Sequence, residues 1–172
     1  MQERAGGFRI AVVDGLGHGR AAEAAAKAAI EVFRATPEMD PTEALLVCDQ
    51  AVRGTRGAAA SVLLIDGARA LFAGVGNVEG RVLGGQGDHR FSPDRGVLGR
   101  GIRVPRAIEF SLVGSWTVLL HTDGVSSRFQ LTDVNGQPDL DELANLVLTN
   151  WGRRTDDATV VVVRHDAAHE LR

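Results

Sequence analysis

The order of sequence patterns predicts an α+β layered fold. Three observations carry the prediction: an apolar strand-like run at the start, two helical patterns after it, and then strand patterns punctuated by turn dipeptides. "FRIAVVD" (8–14), rich in Val and Ile, reads as a buried strand. "HGRAAEAAAKAAIEVFRAT" has high helix propensity, and its many alanines permit close approach of another layer. "TPEMDP" breaks that helix, and "PTEALLVCDQAVRG" starts a second with Pro41 and Thr42 ahead of helically spaced apolar residues. "AAASVLLID", "ARALFAGVGN" and "EGRVLGG" then read as strands linked by the turn signals "DG" and "GN".

Residues 84–106 are rich in Gly, Arg and Pro and read as loop, with a short strand at "HRFS". "AIEFSL" and "TVLLHTD" are two further strands joined by a Gly-Ser turn. "LDELANLVLTNW" is an amphipathic helix and "ATVVVVRH" a closing strand. Helices grouped between runs of strands favour α+β over an alternating parallel-sheet fold.

With 172 residues, 44% hydrophobic and 24% charged, the chain has the size and composition of one ordinary globular domain. A net charge of -3 gives no electrostatic case for nucleic acid or an anionic membrane as partner. The basic residues are scattered, with short clusters at Arg53/Arg56 and Arg153/Arg154. A single cysteine, Cys48, excludes an internal disulfide and a thiolate metal cluster and reads as a small buried hydrophobe. No apolar run is long enough to span a bilayer, and "MQERAGG" has no signal-peptide pattern, so a cytoplasmic location is expected.

Chemistry concentrates where acidic residues meet strand ends. Asp14 follows "IAVV", Asp123 follows "TVLLHT" and precedes Gly, and Asp156 and Asp157 precede "ATVVVV". A side chain at a strand end projects from a rigid edge, and hard divalent cations such as Mg²⁺ or Mn²⁺ favour carboxylate, carbonyl and water oxygens. A structural alternative stands beside this one: Asp-Gly is a common turn dipeptide, and Asp14 with His18 can be a helix-capping turn and nothing more. Spacing by itself does not choose between them.

"DGLGHG" (14–19), "HTDGV" (121–125) and "TDDATVVVV" (155–163), in that order, resemble the metal-dependent protein phosphatase (PPM) family, in its bacterial SpoIIE-like branch. "RGTRGAAASVLLID" (53–66) and "FAGVGNVEGRVL" (72–83) are similar to the small RsbX-type phosphatases of stress-signalling modules. The resemblance spans residues 8 to 165 or so. It implies two central antiparallel β-sheets packed as a sandwich with helices on the outer faces, a four-layer αββα arrangement. One domain over residues 1–172 is expected, and the sequence leaves open whether the family's first strand is present ahead of "FRIAVVD" with Glu3 in place of its aspartate or is missing.

The resemblance also implies two Mn²⁺ or Mg²⁺ ions and an acidified water that attacks phosphorus. Asp14 would bridge both ions with the Gly15 carbonyl as a further ligand, Asp123 would bind one of them, and Asp156 with Asp157 would complete the set. His18 is either a proton donor to the departing serine or threonine oxygen, a group orienting that water, or a first-turn helix residue facing solvent. Arg53 and Arg56 are candidates to steer or clamp a phosphate, Arg56 foremost, or are ordinary solvated arginines on a loop. His121 reads as a core or supporting residue and Asn77 as part of a turn. The family carries a further aspartate on the strand before the "DG" strand, and "MQERAGG" offers Glu3 as its only carboxylate.

The expected activity is therefore that of a phosphoserine/phosphothreonine protein phosphatase. Its expected partners are phosphorylated STAS-domain proteins of a stressosome-like complex, dephosphorylated in negative feedback on stress signalling. Two alternatives remain: a degenerate PPM fold that binds a phosphoprotein without catalysis, and a hydrolase of small phosphoesters.

Overall fold

The computed structural model describes residues 1–84, 88–129, 139–153 and 155–167. Gly85 of "EGRVLGG" and Arg154 lie outside them. The chain forms two compact units, residues 1–78 with 91–112 and residues 79–90 with 113–172.

The first unit is built on a five-stranded sheet in the order β1-β2-β3-β4-β7. Its strands are β1 (Gln2–Arg4), β2 (Gly7–Gly15), β3 (Ala58–Asp66), β4 (Arg69–Val75) and β7 (Ile108–Ser111). All four pairings are antiparallel, and β2 lies on β3 over nine residues, from Gly7 opposite Asp66 to Gly15 opposite Ala58. The edge strand β1 was not assigned from sequence: "QER" has no apolar alternation, and its place comes from pairing with β2 across the Ala5-Gly6 turn. "Asp-Gly" at 66–67 does make the β3–β4 hairpin, with Gly67 at φ 55.

Helices α1 (Arg20–Ala35) and α2 (Pro41–Ala51) supply the core beside this sheet. Ala22, Ala25, Ala29 and Phe33 form the buried stripe of α1, at spacings that keep one face inward. Ala29 and Phe33 join Ala44, Leu45, Cys48 and Val52 against Ala60, Val62, Ala73 and Val75. Asp40 caps α2 by accepting from Thr42 N at 2.8 Å, with Pro41 in the first turn.

Arg9 fastens α1 to the sheet. It is 1% exposed, and its guanidinium donates to the carbonyls of Phe33 and Thr36 at the end of α1 and to Gln2 Oε1 at 2.8 Å. The last carbonyls of a helix have no intrahelical donors, and a cation there also meets the negative end of the helix dipole. Position 9 faces a helix terminus, which explains a charge inside an otherwise apolar strand.

The second unit carries a four-stranded sheet in the order β6-β5-β8-β9. Its strands are β5 (Glu79–Gly84), β6 (His89–Phe91), β8 (Trp116–His121) and β9 (Val160–His165). β8 pairs antiparallel with both β5 and β9. Helix α3 (Leu140–Trp151), capped by Asp139 onto Glu142 N at 2.7 Å, buries Leu143 and Val147 with Leu119, Val125 and Phe129.

Two turn signals join strands of different sheets. The "GN" turn leads from β4 to β5, and the Gly-Ser turn leads from β7 to β8, so neither closes a hairpin. Strand partners decided this: β4 is already flanked by β3 and β7, and β8 by β5 and β9. The arginine-rich stretch is a loop, as expected, and it is pinned. Asp94 exchanges backbone hydrogen bonds with Gly74 and Gly76, and Leu98 with Ala58. Asp49, 1% exposed on α2, accepts from Gly99 N at 2.8 Å and Gly101 N at 3.1 Å.

Two measurements check this packing. Arg9→Ala leaves helix-end carbonyls without their donor and is expected to cost about 3 kcal/mol, read as a lower urea midpoint at unchanged slope. Burial, and secondarily the charge of Asp49, pushes the Cys48 thiol up to about 12. It should therefore stay inert to a disulfide reagent at pH 8 until the chain is unfolded.

Candidate functional site

Asp14 is the penultimate residue of β2, half-buried, and the strand ends at Gly15. The glycine is required by packing: a Cβ there would lie 2.1 Å from the carbonyl oxygen of Ala22 in the first turn of α1. "Asp-Gly" at 123–124 repeats the device, since a Cβ on Gly124 would lie 2.1 Å from the carbonyl oxygen of Asp157. Both Asp-Gly motifs thus place the aspartate beside a glycine that admits close approach of another backbone.

In the second unit this close approach brings two motifs together. Thr122 N donates to Thr159 O at 3.1 Å, and Thr159 N returns to Thr122 Oγ1 at 3.0 Å. The segment carrying Asp123 therefore lies against the one carrying Asp156 and Asp157. All three aspartates are exposed, and Asp156 Oδ1 accepts from Asp157 N at 3.1 Å. His121 is 3% exposed, with Nδ1 3.0 Å from Thr122 O and its ring edge-on to Phe129, the core role expected of it.

In the first unit, Asn77 and Arg56 gather around the loop that follows Asp14. Asn77 Nδ2 donates to Asp14 Oδ2 at 3.0 Å. Asn77 lies in the turn, as expected, but its side chain also steers the carboxylate, which the sequence reading missed. The signal available was "GVGN" itself. Gly76 has φ 105, and a Cβ on it would lie 2.4 Å from Ala59 Cβ, so the turn is pressed onto β3. Ser61 Oγ donates to Val78 O and Gly76 N to Asp94 O at 2.9 Å, and these bonds hold Asn77 in place.

Arg56 is exposed, and its guanidinium packs over Gly17: a Cβ there would lie 2.7 Å from Nη1. Leu16 N donates to Gly57 O at 3.0 Å, tying the same two loops by backbone. Among the described residues Arg56 forms no ion pair. His18 is exposed and sits between Gly17 and Gly19, both at positive φ. It precedes the N-cap, Gly19, so the expectation of a first-turn helix residue is not met; α1 begins only at Arg20. Arg53 is exposed and reaches Asp49 at 3.8 Å.

Oxygen donors of this kind suit Mg²⁺ or Mn²⁺. Asp14 fits such a role, because an amide donor orients one oxygen of a half-buried carboxylate at a strand end. Asn77 Oδ1 is also buried with no hydrogen-bond partner among the described residues, an unsatisfied oxygen beside that carboxylate. Among the described residues no three Asp, Glu, His or Cys side chains form a ready metal cluster. Glu3 does not stand in for the family's upstream aspartate beside Asp14. It lies opposite Phe8 in the β1–β2 register, and six residues of strand from Phe8 to Asp14 span about 20 Å.

Asn77→Ala is expected to weaken Mn²⁺ binding by about tenfold in titration calorimetry, the usual scale for a group that orients a ligand. The unfolding midpoint should stay near wild type, because backbone bonds hold the turn.

Several solved structures share this fold. One from the bacterial stressosome, "a modular system that has been adapted to control secondary messenger signaling", matches with a TM-score of 0.80 and 28% identity, over 91% of this chain and 84% of its own. RsbX in complex with magnesium matches with a TM-score of 0.80 and 24% identity, over 90% of this chain and 79% of its own. The SiaA-PP2C domain of Pseudomonas aeruginosa matches with a TM-score of 0.75 and 26% identity, over 96% and 78%. No curated protein matches the chain. The sequence matches the SpoIIE family (Stage II sporulation protein E) from residue 4 to residue 166, and with the α+β fold of two antiparallel sheets in place, the chain belongs to the SpoIIE-like branch of the PPM phosphatases.

Proposed function

We propose that this chain is a Mn²⁺- or Mg²⁺-dependent phosphoserine/phosphothreonine protein phosphatase of the RsbX type. Its substrates in this reading are phosphorylated STAS-domain proteins of a stressosome-like complex, and its action is negative feedback on stress signalling in the cytoplasm. The observation that carries the reading is the repeated construction of the acidic motifs. Asp14 stands at the end of β2 and Asp123 in the turn two residues past β8, each next to a glycine pressed onto a backbone carbonyl.

The assembly and metal are suggested by relatives in the same fold: a stressosome structure, RsbX with magnesium, and the phosphatase PstP with 2 manganese ions. The proposed oxygen donors here are Asp14, the Gly15 carbonyl, Asp123, Asp156 and Asp157. Two divalent ions, when bound, supply the positive charge that acidifies water and offsets charge on the phosphoryl group. Asn77 holds the Asp14 carboxylate in one orientation, so less freedom is lost when a cation binds.

Arg56 has the geometry for a bidentate grip on phosphate oxygens: an exposed guanidinium over Gly17, with no carboxylate paired to it among the described residues. His18, exposed between two glycines, is proposed to give a proton to the departing serine or threonine oxygen or to orient the attacking water.

A binding module without catalysis is the second reading. It is favoured by the distance of Glu3 from Asp14. Phosphate release from a phosphorylated STAS-domain protein, with and without Mn²⁺, separates the two. The phosphatase reading expects metal-dependent release that falls by roughly 10²-fold or more in Asp14→Ala and in Asp123→Ala. Retained phosphoprotein binding with no release by wild type would establish the binding module instead. Faster release from a small aryl phosphate than from the phosphoprotein would point to small phosphoesters.

A further inference from the structure

The loop from Asp94 to Arg106 carries Arg95, Arg100, Arg103 and Arg106 against a single acid, Asp94. All four arginines are exposed, and none forms an ion pair among the described residues. Asp94 is already engaged, accepting from Arg106 N at 2.7 Å. Loops this charged usually spread in solvent, yet this one is fixed. Asp49 holds Gly99 N and Gly101 N, and Leu98 bridges to Ala58.

The anchoring sets one of these cations, Arg100, beside the segment that reaches the loop after Asp14. Arg100 Nη2 lies 3.5 Å from the carbonyl oxygen of Arg56, whose guanidinium covers Gly17. A chain with a net charge of -3 therefore has a local excess of positive charge next to its candidate phosphate group.

We infer that this arginine-rich loop, Arg100 and Arg103 included, is a docking surface for an acidic protein segment flanking the phosphorylated serine or threonine. The inference rests on the phosphatase reading for the identity of the phosphorylated residue, but the charge excess stands apart from it. Arginine forks match carboxylates pairwise, and a fixed loop loses little freedom when they engage. Nucleic acid is a poorer fit. Neither residues 94–106 nor residues 53–57 contain an aromatic side chain for base stacking, and the net negative charge opposes a long polyanion.

The test uses two synthetic phosphothreonine peptides that differ only in flanks of Asp/Glu or of Ala/Gln. Binding to the full chain is read by fluorescence anisotropy, and phosphate release with Mn²⁺ is followed in parallel. The acidic peptide should bind about tenfold more tightly at low ionic strength, with the preference shrinking as salt is raised. Arg100→Glu/Arg103→Glu should abolish the preference, and Arg103→Glu, whose wild-type side chain makes no hydrogen bond among the described residues, should reduce it without disturbing the fold. Turnover of a small aryl phosphate should be unchanged in Arg103→Glu.

Equal binding of the two peptides, or a preference that survives the double reversal, would overturn the docking surface while leaving aryl phosphate turnover to support the phosphatase. Tighter binding of a single-stranded oligonucleotide of equal charge would overturn it in favour of nucleic acid. No phosphate release by wild type from either peptide or from the aryl phosphate, with the anisotropy preference intact, would reject the phosphatase and keep the docking surface.

Discussion

The first unit depends on the nine-residue register between β2 and β3. Gly15 opposite Ala58 closes that ladder, and Leu16 N then reaches Gly57 O. Through this pairing the segment after Asp14 is delivered to the segment holding Arg56, and the turn holding Asn77 is delivered to Asp14 by β4 on the far side of β3. A slip of one residue would send every β2 side chain to the opposite face. Asp14 would leave Asn77, and Arg9 would leave the end of α1. One register therefore specifies both the carboxylate at one end of β2 and the helix anchor towards the other.

Glycine does its work here by letting backbones touch. Gly15 against Ala22 and Gly124 against Asp157 have the same contact, although one meets a helix and the other a strand approach. The alanine stripe of α1 serves the same end, because only small residues let a helix lie this close to the strand carrying Asp14. Close backbone packing holds the aspartates at rigid edges, where an acidic side chain has a defined origin even when its tip is exposed. Exposure and precision are compatible when the main chain is the fixed part.

Buried charge appears in this chain at loop and helix ends, where backbone groups need partners. Arg9 answers the carbonyls at the end of α1, and Asp49 answers the amides of Gly99 and Gly101. Both are 1% exposed. Arg81, 5% exposed in β5, follows the same rule: it donates to Phe129 O and pairs with Asp88, whose carboxyl it holds below the usual aspartate range. Arg81 also lies over the Phe129 ring, 4.9 Å from its centre. Loops are thereby fixed by side chains that hydropathy patterns treat as solvent-facing.

The sequence by itself determined the elements, the fold class and the family. Apolar period, helix propensity, the Asp40-Pro41 cap and three acidic motifs in order are local or linear signals, and among the described residues they located every helix and all strands but β1. The third dimension decided the partners. "GN" and Gly-Ser turns are chemically competent for hairpins, yet β4, β5, β7 and β8 took other neighbours, because pairing depends on which strands already flank each one. Asn77, Arg9 and Asp49 act on residues 63, 24 and 50 positions away. No local pattern records such separations, since a hydrogen bond across a fold leaves no periodicity in the chain. The tertiary structure alone turned a turn asparagine into a brace for Asp14 and a charged loop into a fixed rim.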